Sequence, residues 1–189
     1  MISCKQELYE YLREDEIALH LMRKRWVSKL INPIYKYERA LRFDEYCTNC
    51  FRHFWQIPFK IFARIRHRNL GIKYGFSIPV NVFGKGLAIV HVGTIVVSDK
   101  AQIGDYCRIH VCTNIGSAAG APNAVPHIGN RVYIGPGVKM FGDITIADDI
   151  AIGANAVVNK SFETPGITIG GIPAKQIGRK GSYNMIFTD

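Results

Sequence analysis

Glycine is missing from the first seventy residues; all eighteen glycines stand at or after Gly71. Without glycine a chain has poor access to left-handed backbone, so repeated tight turning is excluded from the N-terminal part. No run of eighteen apolar residues occurs, which excludes a helix that spans a membrane. The opening Met1-Ile-Ser-Cys-Lys-Gln-Glu7 lacks a basic stretch leading into an apolar one, so no secretory signal is expected. Five cysteines, an odd number in 189 residues, do not suit a disulfide framework. A cytoplasmic protein with reduced thiols is the expectation. Signatures of RNA- and DNA-reading modules are also absent, and no nucleic-acid partner is expected.

Hydrophobic residues make up 48% of the chain and charged residues 21%, enough for a packed core and unlike a disordered protein. A mass of 21.2 kDa allows one domain, or one domain with a smaller appendage. The net charge of +9 is uneven: residues 1–70 carry +6 and residues 71–189 carry +3. Such a field attracts nucleic acid, anionic lipid headgroups or phosphorylated small molecules, and charge alone does not choose among them.

The chain divides near residue 70. Across 1–70, charged and apolar residues mix at helical spacing, with Leu8, Tyr9, Leu12, Ile17, Leu19, Leu21 and Met22 suiting amphipathic helices. Asn32-Pro33 breaks the pattern, and a further helix is expected from Pro33 toward Arg52 with Tyr35, Leu41, Phe43 and Tyr46 as its apolar residues.

Residues 71–189 repeat every six. Aliphatic side chains stand at Val97, Ile103, Ile109 and Ile115, then at Ile128, Ile134, Met140, Ile146, Ile152 and Val158. A second small or apolar set follows four residues after these, at Ala101, Cys107, Val132, Val138, Ile144, Ile150 and Ala156. Half-buried strands repeat every two residues and helices near 3.6, so a period of six predicts a parallel β-helix whose hexads are short strands joined by turns. Three hexads, about eighteen residues, close one coil, and each coil needs the next to bury its interior. The fold class is therefore mainly β: a parallel β-helix behind a short N-terminal α-helical region. One step breaks the rhythm: between Ile115 and Ile128, the small residues and prolines of 116–127 predict a loop leaving the solenoid.

The segment from Gly86-Leu-Ala-Ile-Val-His91 to Val97, the hexads, the excursion before Pro126 and Gly170-Gly-Ile-Pro-Ala-Lys175 together resemble the serine acetyltransferase-like branch of the hexapeptide-repeat acyltransferases. The likeness covers roughly residues 75–180. It implies a left-handed β-helix, a homotrimer, and acetyl-CoA as acyl donor bound in grooves between neighbouring subunits, with no metal. It also implies that His91 is the catalytic base. The chemistry is apt, because a hydroxyl becomes an effective nucleophile only as its proton leaves, and an imidazole titrating near neutrality can take that proton. His110, nineteen residues later and about one coil on, is a second catalytic candidate. His127 and Asn114 are candidate acceptor contacts. Gly135, Gly153, Ala154 and the run Gly171, Ile172, Pro173, Ala174 and Lys175 match segments that line the pantetheine groove, where small side chains let a thin ligand approach the main chain. Lys175, Arg179 and Lys180 are either phosphate contacts or a solvated basic tail.

Departures from the branch bear on the acceptor. Where it carries an aspartate before the histidine, this chain has Val90; where it carries an upstream orienting aspartate, Phe76 or Ser77 stands. An Arg-His pair expected ahead of Pro126 is Ala124-Val125. Losing those charge-assisted contacts disfavours a zwitterionic amino acid. A saccharide hydroxyl, as in capsule, O-antigen or exopolysaccharide precursors, is thus preferred as acceptor. Free serine, and a non-catalytic scaffold, are the alternatives.

Three weaker signals remain. Cys47-Thr-Asn-Cys50 has zinc-like spacing, yet a single pair on one helix face is expected to be structural. Cys107 and Cys112, inside the repeats, are expected to pack. Residues 51–68 interleave aromatics and cations, which suits either an anionic membrane surface at the inner leaflet or a helix packing its aromatics against the first coil or a neighbouring subunit; the second is preferred, because the solenoid's open end needs a cap.

Overall fold

The computed structural model describes residues 1–22 and 24–186. Four helices come first: α1 (Lys5–Ala18), α2 (Trp26–Ile31), α3 (Pro33–Cys50) and α4 (Ile57–Tyr74), with a 3-10 turn at Phe54–Gln56 before the last. Asn32 starts α3 in the way its sequence suggests. Its side-chain oxygen accepts from the Ile34 and Tyr35 amides, and Pro33 fills the first helical position, where no amide is needed. The expected apolar face of α3 is only half right. Tyr35 and Leu41 are buried, but so are Glu38, Arg42, Asp44 and Glu45, while Phe43 and Tyr46 are partly exposed.

The change in composition at Gly71 falls inside α4 and not at its end. A Cβ on Gly71 would come within 2.5 Å of the Phe76 carbonyl oxygen, so glycine is required where α4 folds back on the first strand. Gly75 closes the helix at φ +83, a left-handed cap that glycine adopts without strain.

From Phe76 onward the chain visits three parallel sheets in turn. The first holds Phe76–Ser77, Ile95–Val97, Thr113–Gly116, Lys139–Phe141 and Val157–Val158. The second holds Gln102–Ile103, His127–Ile128 and Thr145–Ile146, extended by bridges at Phe83 and Phe162. The third runs Ala88–Ile89, Arg108–Ile109, Tyr133–Ile134, Ala151–Ile152 and Thr168–Gly170, and ends on the antiparallel Lys175–Gly178. Each strand pairs with the one a full coil away, so the hexad residues stack: Val97, Ile115, Met140 and Val158 on one face, Ile103, Ile128 and Ile146 on the next, Ile109, Ile134 and Ile152 on the third. Both hexad sets are buried throughout. At roughly 1.5–3 kcal/mol for each fully buried large aliphatic side chain, this ladder dominates the stability of the coil.

The excursion leaves the first sheet after Gly116 as a tight turn bridged from Ala118 to Ala121, and returns through buried Val125 and Pro126. A short α5 (Tyr183–Ile186) follows the last strand.

An end coil exposes backbone groups that the next coil would pair, and here helix side chains pair them. Asp15 accepts from the Leu87 amide at 2.9 Å, Glu38 from Ile89 at 3.1 Å and Glu45 from Asn81 at 2.8 Å. Arg42, wholly buried, donates to the Phe83 and Gly84 carbonyls and grips Asp15 and Glu45. The charges of the N-terminal part thus complete the first coil.

Two expectations are corrected. Cys112 does not pack: it is exposed, in a turn at φ +61, whereas Cys107 is buried and its thiol is pushed up to about 12 by burial. The aromatics of 51–68 do not cover the open end of the coil within this chain. Phe54, Trp55, Phe59 and Phe62 are exposed, and α4 packs through its smaller face.

Candidate active site

The third sheet builds a seam. Ile89, Ile109, Ile134, Ile152 and Ile169 stand in register and point inward. The residue after each is Val90, His110, Gly135, Gly153 or Gly170; the first four stand just past their strands, and Gly170 is the last residue of its own. Amide-to-carbonyl bonds of 2.8–3.2 Å hold this column, from Val90 on Ile109 to Gly153 on Ile169. Bulk lies at one end of it and bare backbone at the other.

His91 and His110 occupy the bulky end on consecutive coils, with ring centroids 6.4 Å apart and planes at 61°. His91 is exposed, and among the described residues no side chain hydrogen-bonds its ring. His110 is half-buried against the Tyr133 ring, 4.9 Å away, and its Nε2 is buried with no hydrogen-bond partner among the described residues. Desolvation, then the charge of Arg108 and that of His91, hold the His110 imidazole below its ordinary pKa. An exposed imidazole beside a neutral, desolvated one can accept a proton from a hydroxyl presented at the surface.

Gly135, Gly153, Ala154 and Gly171 continue down the same edge. Gly135 is closed to any side chain, since a Cβ would meet the Ile152 carbonyl oxygen at 2.6 Å; at Gly153 the nearest atom would be 3.4 Å away. Gly171 and Ile172 are exposed, the Ile172–Pro173 peptide is cis, Ala174 is buried with its amide on the Val157 carbonyl, and Lys175 is exposed. A strip of backbone without side chains suits a thin, amide-bearing ligand arm, so the residues present fit pantetheine.

Two candidates stand elsewhere. His127 lies in the second sheet, paired with Gln102 and Thr145, and Asn114 lies exposed in the first, between Val96 and Lys139. Neither stands on the third-sheet seam that carries His110. Tyr133, which sequence reading missed, does reach it; the signal was its place in register with Arg108, one coil below the second histidine. At the positions where an aspartate was expected, Phe76 is core, Ser77 faces outward and Val90 lines a cavity with Ala18, Leu21 and Arg108. Among the described residues no carboxylate forms a hydrogen bond or ion pair with His91. The Cys47 thiol is buried on α3 and pushed up to about 11, and among the described residues no group of three or more His, Cys, Asp or Glu forms a metal cluster.

A three-faced coil of hexads, capped by helices and carrying a histidine pair above a glycine strip, defines a hexapeptide-repeat acyltransferase. The comparisons bear this out. A serine acetyltransferase of Helicobacter pylori is 41% identical over 185 residues, 94% of this chain and 98% of its own length. The one from Mycobacterium tuberculosis is 36% identical over 127 residues, 66% of this chain but only 55% of its own. An Escherichia coli acetyltransferase provisionally assigned to colanic acid biosynthesis is 28% identical over 137 residues, 69% of this chain and 83% of its own. No family profile matches the sequence. Among solved structures, serine acetyltransferase from Brucella abortus superposes with a TM-score of 0.70 at 25% identity, covering 94% of this chain and 71% of the other, and the same protein has been solved in complex with coenzyme A. This chain belongs to the serine acetyltransferase family and is an acyltransferase.

Proposed function

We propose that this protein is an acetyl-CoA-dependent O-acetyltransferase whose base is His91, acting on a left-handed coil, and that its acceptor is the hydroxyl of serine. The observation that carries the catalytic part is the exposed His91 ring beside His110 at the head of the glycine strip. The amino-acid acceptor is supported by the Helicobacter relative, matched over nearly the whole of both chains, and this reverses the preference drawn from sequence for a saccharide. Acetyl-CoA supplies the activated acyl group. His91 takes the acceptor's proton as its oxygen attacks the thioester carbonyl, and returns that proton to the departing thiolate, so no acyl-enzyme is needed. His110 stays neutral beside it and does not compete for charge. Gly135, Gly153, Ala154 and the loop at Gly171–Lys175 hold the pantetheine arm. The protein assembles as a homotrimer, and Asn114 and His127, on other sheets, reach the acceptor only from a neighbouring copy.

One observation favours a second reading. Val90, Ala124 and Val125 offer no charge to a zwitterion, and among the described residues no carboxylate pairs with His91, which fits a neutral sugar hydroxyl better. Thiol release from acetyl-CoA with serine and with a panel of sugars, for wild type and His91→Ala, tests both. Release with serine that His91→Ala abolishes is expected. Release with a sugar alone moves the acceptor to saccharide, release unaffected by His91→Ala removes the base, and no binding of CoA by calorimetry leaves only a scaffold.

A further inference from the structure

We propose that the outward face of α4 is a docking surface for a lipid bilayer with anionic headgroups. The helix buries Ala63, His67 and Gly71 inward, toward α3 and the first strand. At 100° per residue the opposite side carries Ile61, Phe62, Ile65 and Ile72, each more than half exposed. Phe54 and Trp55, in the turn just before the helix, are exposed as well. Water gains nothing from six large apolar side chains on one short stretch, and clustered exposure of this kind marks an interaction site.

Charge selects the partner. Between Glu45 and Asp99 the chain has no acidic residue but seven Lys and Arg. Two of these turn inward: Arg64 pairs with Asp44 at 2.9 Å, and Lys60 points to the Thr48 and Phe51 carbonyls. Arg66 and Arg68 are exposed and form no ion pair among the described residues, and with Lys73 they flank the apolar stripe on both sides. An apolar stripe between basic flanks matches the layering of a membrane surface, where acyl chains lie beneath anionic headgroups. Two copies of this helix packed face to face would instead bring cations against cations. No helix among the described residues is long and apolar enough to cross a membrane, so α4 would lie along the surface. The inference holds for either acceptor.

Cosedimentation of the full chain with vesicles tests it, using phosphatidylcholine alone and phosphatidylcholine mixed with phosphatidylglycerol. Binding to the anionic vesicles at least about tenfold stronger, and weakening with salt, is expected. Phe62→Glu with Ile65→Glu should abolish it, and Arg66→Gln with Arg68→Gln should weaken it about tenfold, with circular dichroism and particle mass unchanged. Equal binding to both vesicle types, or binding to neither, overturns the proposal. So does a fall in particle mass for the Phe62→Glu/Ile65→Glu variant, which would assign the face to a neighbouring copy.

Discussion

His110 stands in register beneath Val90, not beneath His91, and its ring still meets the His91 ring at 6.4 Å across the coil step. One ring is open to solvent and the other is sunk against Tyr133, so the two imidazoles have different work. His91→Ala should lower kcat for acetyl transfer by about two to four orders of magnitude, the usual worth of a general base. His110→Asn should cost less, because that ring supports its neighbour. Steady-state rates for both variants check this, and a larger loss at His110 would exchange the roles.

The depressed His110 pKa also predicts a pH-dependent stability. Between its lowered folded value and the ordinary histidine value, the unfolded chain binds the extra proton, so stability rises with pH through that window. His110→Asn should flatten the rise. Urea midpoints for both proteins between about pH 5 and 7 measure it.

Glu38 carries the opposite sign. Burial first, then the Asp15 charge, raises its pKa well above the ordinary glutamate value of 4.5. The folded state then holds the proton that the unfolded state loses, and stability falls as pH climbs above about 4.5 toward the raised value. Glu38→Gln keeps an acceptor for the Ile89 amide and removes the titration. It should match or exceed wild type near pH 8 and lose the downward slope; a steeply destabilised variant there would mean the carboxylate is ionised.

Arg42→Met tests the cap on the first coil. The change strands two buried carboxylates and two backbone carbonyls at once, and removing one partner from a buried ionic group costs about 3–5 kcal/mol. A loss under about 1 kcal/mol in urea unfolding would show that water replaces the guanidinium.

Two glycines on the seam should answer differently. Gly153→Ala places its Cβ no nearer than 3.4 Å to any neighbour, so it should fold normally and raise KM for acetyl-CoA several-fold with kcat little changed. Gly135→Ala forces a Cβ to 2.6 Å from a carbonyl oxygen and should lower the melting temperature. Gly153→Ala with unaltered KM would move the donor off this strip.

Some features were legible because they repeat. Each hexad aliphatic was named correctly as buried from its spacing alone, since a stacked coil imposes one rule on every rung. α3 was only half read where no repeat exists: Phe43 and Tyr46 were expected in its apolar set and are partly exposed, while Arg42, outside that set, is in the core. Periodicity reports hydrophobicity, and the first coil needed hydrogen-bond donors and acceptors instead. His91 was singled out through its motif, whereas the contact of His110 with Tyr133 depends on a register that the twelve residues of the excursion conceal.

By itself, then, the sequence determined the solenoid, because burial of a six-residue repeat is a local rule applied many times over; the boundary it suggested falls inside α4. Only the tertiary structure decided which charges sink into the cap, which histidine is exposed, and that the aromatics of α4 face outward. Those outcomes depend on pairs of residues far apart in the chain, and their energies exist only once the coil and the helices meet.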